Sequence, residues 1–347
     1  MRIGLATTGL LPLKPMIEKL LSGRAVVLSR TLRSVDAVAG WGHKPTADKA
    51  RNYARKRGLP YIALEDGLLR SIKPGKGELA RSLVIDRSGI YYDARTPSDL
   101  EELVLGRSKS GDDTARARNA ITYLRQNRLS KYNNHEIDGI GPLNLQSAKA
   151  ENRVLLVDQT AGDASIAGAL ATEHSFADML VSAVTENPEC EILIKVHPET
   201  ILGTKAGHFD KQSLTDLAQR APEVGEALET KRVRLIGESI NPWALLESCS
   251  KVYCVSSQLG FEGLLAGAEV HCFGMPFYGG WGLTQDRLKA PDRRKPVTLE
   301  ALFSAFYFDY AHYLDHDTGS IVEFEDAAPA LLQARNLAMA ERGADHK

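Results

Sequence analysis

Apolar residues along this chain come in short runs that end on polar clusters, and the spacing of those runs predicts the elements. Four to six aliphatic residues bounded by turn formers read as buried strands of a parallel sheet, covered on both faces. In the first half, Arg2–Thr8, Ala25–Arg30, Ala37–Trp41, Pro60–Glu65 and Ser82–Asp86 fit that pattern. Helical periodicity fills Pro15–Leu21, Thr46–Lys56 and Asp112–Gln126 between them. Residues 129–152 are polar, rich in Asn and Gly and without period, and predict an inter-domain connection. A second alternation follows, with strands at Val154–Asp158, Glu191–Val196, Val233–Ile236, Lys251–Val255 and Val270–Phe273. Helices near Ser175–Glu186, Pro242–Ser248 and Gly260–Ala266 separate those strands, and Leu299–Tyr313 predicts an aromatic helix packing back across the domains. The expected architecture is α/β, with two Rossmann-like domains facing across a cleft. The expected division is 1–150, 151–325 and a helical tail over 326–347.

Composition narrows the class. A chain of 347 residues exceeds the usual size of a single core, which agrees with two domains. The formal net charge of −1 provides no global field for nucleic acid. No apolar run approaches the roughly 20 residues that span a bilayer, and the N-terminus reads as a strand and helix, not a signal peptide. Cys190, Cys249, Cys254 and Cys272 lack metal-type spacing and predict reduced thiols of a cytoplasmic protein. No G-x-G-x-x-G follows the first strand, so a dinucleotide cofactor is disfavoured.

The candidate chemistry lies at strand ends, where open α/β sheets bind their ligands. Val154–Val157 empties into Asp158, Gln159, Thr160 and, past Gly162, Asp163. An ionised Asp can attack an anomeric carbon and form a glycosyl-enzyme, and either Asp158 or Asp163 could do so. The alternative is ordinary turn punctuation. Tyr61–Leu64 runs into Glu65-Asp66-Gly67, with Arg70 beyond. Neighbouring carboxylates repel, so one is expected to hold its proton and serve as acid or base, unless the turn is merely solvated. Ile192–Ile194 delivers Lys195, His197 and Pro198, a candidate phosphate or sugar-nucleotide site or a structural His. Ser256, Ser257 and Gln258 precede a helix carrying Glu262, which predicts an anion cradle or a plain N-cap. His43 in Trp41–Pro45 could line the cleft, and the Gly/aromatic run 273–284 suits either a sugar platform or a packed loop.

With these residues in hand, the chain resembles the KpsC-type capsule polysaccharide Kdo transferases of Gram-negative bacteria. The similarity runs from about residue 3 to residue 325. It rests on WGHKP (41–45), LEDGLLRS (64–71), SLVIDRSGIYYDA (82–94), LSKYN (129–133), VDQTAGD (157–163), KVHPE (195–199), SSQLGFEGLLAG (256–267) and CFGMPFYGGWGLTQDR (272–287). The resemblance implies a GT-B-like glycosyltransferase that takes CMP-β-Kdo as donor, needs no cofactor or metal, and retains configuration. The implied acceptor is a β-Kdo-terminated (lyso)phosphatidylglycerol-type glycolipid, on which a poly-β-Kdo linker is built. It further implies Asp163 as nucleophile, Glu65 as general base with Asp66 orienting it, and His197-Pro198 with Ser256-Ser257 on CMP. Such enzymes work at the cytoplasmic face of the inner membrane. The basic segments Arg51–Arg57 and Arg293–Lys295 could meet that face or the acidic acceptor, or simply be solvated. Family members usually carry two such modules in tandem, so a second module is an expected partner. Two other readings remain open: an inverting CMP-sugar transferase with a Glu or Asp base, and a non-catalytic module that binds glycan or CMP-sugar.

Overall fold

The computed structural model describes residues 1–28, 34–75, 78–110, 114–135, 138–145, 150–196 and 206–345. His197 and Pro198 lie outside the described residues. The chain folds as a mixed α/β protein around two sheets. Seven strands form the first: β1 (Arg2–Leu5), β2 (Arg24–Val27), β3 (Ala37–Trp41), β4 (Tyr61–Asp66), β5 (Ser82–Asp86), β12 (Ala311–Leu314) and β13 (Ile321–Val322). Their order is β13-β12-β5-β4-β3-β1-β2. Strands β1 to β4 pair in parallel, whereas β5, β12 and β13 each run antiparallel to their neighbours. Six strands form the second sheet: β6 (Arg153–Val157), β7 (Glu191–Lys195), β8 (Val233–Ile236), β9 (Lys251–Cys254), β10 (Glu269–Cys272) and β11 (Gln285–Asp286). Its order is β11-β10-β9-β6-β7-β8, parallel throughout.

Both sheets contain a point where successive connections leave in opposite directions. In the first the chain passes from β1 outward to β2 and then returns to β3 and β4; in the second it passes from β6 to β7 and β8, then returns to β9. The crevice at the carboxyl end of such a switch is where α/β sheets bind ligands. The switch points here are the ends of β1 and β3, and the ends of β6 and β9.

The second sheet shows why its strands read as unbroken apolar runs. Val154 and Leu156 pack with Phe176, Met179 and Leu180 on one face, while Leu155 and Val157 pack with Trp243, Phe261 and Leu264 on the other. Alternate residues point to opposite faces, and both faces are covered. The layer holding Leu155 is continuous with Ala63, Leu68, Val84 and Tyr92 of the first half, so one core joins both sheets. Trp243 is wholly buried and its indole Nε1 donates to the Leu129 carbonyl at 2.9 Å, fastening the connection beneath that core.

Several elements depart from the expectation. β1 stops at Leu5, and a 3-10 turn over Thr8–Leu13 follows. A helix at Asp99–Ser110 and a pair at Lys211–Arg220 and Pro222–Glu229 were not anticipated. Leu299–Tyr313 is helical only to Tyr310, as an α-turn over Leu299–Ser304 and a π-turn over Ala305–Tyr310. The chain then becomes β12 and joins the first sheet beside β5, although residues 311–325 were expected in the second unit. Burial alternates along Ala311–Leu314, and the Tyr310 hydroxyl donates to buried Asp86 at 2.8 Å, which together fix the strand there. The long helix Phe324–Asp345 follows. No described helix is long and apolar enough to cross a membrane.

Candidate active site

Glu65 and Asp66 end β4, as expected, but each has its own cation. Lys44 Nζ lies 2.9 Å from Glu65 Oε2 and 3.1 Å from Oε1, and Arg70 Nε donates to Asp66 Oδ2 at 2.8 Å. Arg70 also donates to Ser71 Oγ and to the Gly75 carbonyl, so it organises the loop beyond β4.

His43 stands just past β3. Its backbone N–H donates to the Tyr92 hydroxyl at 2.8 Å, and its Nδ1 is 2.9 Å from Asp93 Oδ2. Gly42 between them has φ +47°; a Cβ there would lie 2.2 Å from the Tyr92 hydroxyl and 3.3 Å from Glu65 Oε2. Only glycine allows both the backbone and the close approach. Burial raises the Asp93 carboxyl, yet hydrogen bonds from Arg95 and His43 outweigh it and hold the group well below the usual carboxylate range.

Asp163 caps the short helix Ala164–Gly168, accepting from Ser165 N–H at 2.9 Å, and it is exposed. That helix packs against the 90–94 segment: Ala94 N–H donates to the Gly168 carbonyl at 2.9 Å, and a Cβ on Gly168 would lie 2.5 Å from the Tyr92 carbonyl. Tyr91 and Tyr92 thus bridge the halves. Both phenols sit above their ordinary range, first through burial and then through the carboxylates of Glu65 and Asp163. The two acidic clusters therefore act on one pair of rings.

Asp158 has another task. Its carboxylate accepts from Gln159 N–H at 2.8 Å and from His208 N–H at 3.1 Å, with His208 Nδ1 at 3.3 Å. The Asp158 side chain is 2% exposed and His208 stacks on Phe176 at 3.6 Å, so Asp158 ties down the 206–209 segment. Across the β6/β9 switch, Gln159 Oε1 accepts from Ser256 N–H at 2.8 Å while its Nε2 donates to Ser256 Oγ at 3.0 Å. Ser165 Oγ completes the group, 3.1 Å from Ser256 Oγ. Ser257, next along the chain from Ser256, caps the helix Gln258–Ala266, its Oγ accepting from Leu259 N–H at 3.2 Å. Thr160 donates nothing from its side chain among the described residues, but its carbonyl accepts from Asp163 N–H at 3.2 Å.

Gln258 and Glu262 face inward, toward the connection between the halves. Gln258 Nε2 donates to the Leu68 carbonyl at 3.2 Å, and Glu262 Oε1 accepts from Ser130 Oγ at 2.7 Å and Gln258 Nε2 at 3.1 Å. Burial pushes the Glu262 carboxyl up to about 7 against those two bonds. Burial likewise brings Lys195 down to about 8, with Nζ donating to the Val196 and Glu238 carbonyls.

Arg294 of the second basic segment and the Gly/aromatic loop are internal. Arg294 is 5% exposed; it donates to Glu101 at 2.7 Å and to the Pro276 and Gly279 carbonyls, with Arg293 on the other Glu101 oxygen. These arginines clamp the helix Asp99–Ser110 to the Gly/aromatic loop and present no basic patch. Phe277, Tyr278 and Trp281 of that loop are buried, so it is a packed loop. Cys249, Cys254 and Cys272 are buried free thiols, as expected, and Cys190 is a half-buried one.

Carboxylates thus end β4 of one sheet, and a Gln159–Ser256–Ser165 polar cluster lies at the switch point of the other. The description "Capsule polysaccharide biosynthesis protein" belongs to the family whose profile matches residues 36–314, and the chain belongs to that family. It is 42% identical over 296 residues to the capsule polysaccharide modification protein LipA of Neisseria meningitidis serogroup A, covering 83% of this chain and 40% of LipA. It is 33% identical over 290 residues to the lipopolysaccharide-processing protein LpsZ of Rhizobium meliloti, covering 83% of this chain and 62% of LpsZ. The chain thus spans less than half of LipA and a little under two thirds of LpsZ. Among solved structures it superposes on the KpsC β-Kdo 2,4 transferase of Thermosulfurimonas dismutans with TM-score 0.82 and 39% identity, covering 96% of this chain and 98% of that one. The KpsC β-Kdo 2,7 transferase of the same organism shares the fold at TM-score 0.69 and 23% identity, covering 96% of this chain and 100% of that one. These likenesses support a glycosyltransferase and bear out the KpsC-type resemblance.

Proposed function

We propose that this chain is a retaining β-Kdo transferase of GT-B-like arrangement that uses CMP-β-Kdo to extend a poly-β-Kdo linker. The observation that carries the reading is the 39% identity to the KpsC β-Kdo 2,4 transferase across 96% of this chain. The same likeness favours a 2,4 linkage. The acceptor is a β-Kdo-terminated (lyso)phosphatidylglycerol-type glycolipid met at the cytoplasmic face of the inner membrane. A second transferase module is the expected partner, since LipA extends far beyond the matched length.

In the first half-reaction, Asp163 attacks C2 of Kdo, the C2–O bond breaks, and CMP leaves with the bonding pair on its phosphate oxygen. Exposure of Asp163 and the locked state of Asp158 favour Asp163 for that role. Ser256, Ser257 and the N-terminus of Gln258–Ala266 stabilise the departing phosphate, so that no metal is required. Gln159 holds Ser256 in place for this. In the second half-reaction a Kdo hydroxyl displaces Asp163 from the opposite side, restoring the original configuration. Product analysis by NMR tests the reading: a β-anomeric Kdo on O4 of the acceptor sugar is expected. An inverted anomer, or CMP binding without any product, would overturn it.

A further inference from the structure

The second half-reaction needs a proton acceptor, and both carboxylates expected to supply one are engaged by cations. Lys44 spans the two oxygens of Glu65, and Arg70 binds Asp66. A different group at the same crevice is arranged for the task.

His43 follows β3 at the β1/β3 switch point. Asp93 Oδ2 is 2.9 Å from its Nδ1, and Arg95 grips Asp93 with Nε and Nη2, each at 2.7 Å. An ionised carboxylate on Nδ1 selects the tautomer with the proton there, which leaves the lone pair on Nε2. Nε2 has no hydrogen-bond partner among the described residues, and it is not sealed off from solvent. The ring is held in place by the 2.8 Å bond from the His43 backbone to Tyr92. Gly42 brings this pair beside Glu65, and the Tyr92 backbone abuts the helix that Asp163 caps. Thr7, beyond the end of β1 on the neighbouring side of the crevice, carries a buried hydroxyl oxygen without a partner. A sugar hydroxyl bound there would find a ready partner.

We infer that His43, oriented by Asp93, takes the proton from the acceptor hydroxyl during transfer, an inference that rests on the retaining reading above. Nε2 accepts the proton as the hydroxyl oxygen gives an electron pair to C2 of Kdo. The C2–Asp163 bond breaks, and its pair returns to the carboxylate. The imidazolium, stabilised by Asp93, then releases its proton to water.

Rapid quenching separates the two half-reactions. Enzyme mixed with CMP-β-Kdo alone is assayed by intact mass for the Kdo adduct, then chased with a synthetic β-Kdo glycoside. His43→Gln can still donate to Asp93, so loading is expected within about twofold of wild type while transfer slows by roughly 10²–10⁴. Asp93→Asn shifts transfer the same way, and the double variant is no slower than His43→Gln alone, as two parts of one device behave. If His43→Gln unfolds, Asp93→Asn carries the test. Wild-type transfer rates in His43→Gln would overturn the inference, as would a loss of loading in proportion to transfer. A wild-type enzyme that transfers Kdo yet never gains the adduct would overturn the retaining reading instead, and this step with it.

Discussion

Replacing Glu262 by Gln isolates the cost of burying a carboxyl between the two halves. Glu262 is 2% exposed, and its Oε1 accepts from Ser130 and Gln258. The other oxygen, Oε2, is buried without a hydrogen-bond partner. Burial raises the group from 4.5 to about 7, so the folded protein holds a proton there that the unfolded chain releases. Stability therefore falls as pH rises from about 4.5 to about 7 and is flat above that window. At about 1.4 kcal/mol per tenfold change in proton affinity, the ionisation costs on the order of 3 kcal/mol. Gln keeps an acceptor for both donors and cannot ionise. At pH 8 Glu262→Gln should accordingly melt higher than wild type by on the order of 5 °C, while near pH 4.5 the two should coincide. Calorimetry at both pH values measures this. A variant less stable than wild type at pH 8, or a gap independent of pH, would refute the reasoning.

Other changes follow from the same structure. Gln159→Ala removes the group that holds Ser256, so the KM for the sugar nucleotide should rise about tenfold with a smaller effect on kcat, read by initial rates. Arg294→Ala leaves Glu101 with Arg293 alone and the Pro276 and Gly279 carbonyls without their donor, and should cost about 2–3 kcal/mol in denaturant titration; a cost under 1 kcal/mol would show that the clamp carries little. Dialysis against a strong chelator should leave CMP release unchanged, because the phosphate is proposed to leave toward Ser256, Ser257 and the helix N-terminus.

Strand positions were legible because the parallel strands are buried on both faces and read as bare aliphatic runs, as Leu155–Val157 and Ile192–Ile194 do. Of the helices that escaped, Lys211–Arg220 buries Leu214, whereas Asp99–Ser110 puts Leu100 and Val104 into the core but is interrupted by Gly106 and ends on polar residues. Phe303, Phe306, Tyr307, Tyr310 and Tyr313 keep helical spacing across a real helix-to-strand boundary, so periodicity overran it. The candidate site residues were picked out by their strand-end positions. Their partners were not, because contacts such as Lys44 with Glu65 and His43 with Asp93 join segments 21 and 50 residues apart. The Tyr91-Tyr92 bridge left its signal in the motif SLVIDRSGIYYDA, but no role could be read from spacing alone.

The central claim is covalent capture of Kdo by Asp163. Intact mass of the acid-quenched enzyme after mixing with CMP-β-Kdo and no acceptor tests it most directly. The account predicts a gain of one Kdo residue, mapped by digestion to the peptide containing Asp163 and absent from a folded Asp163→Ala variant. CMP release without that adduct, or the same adduct in Asp163→Ala, would contradict it.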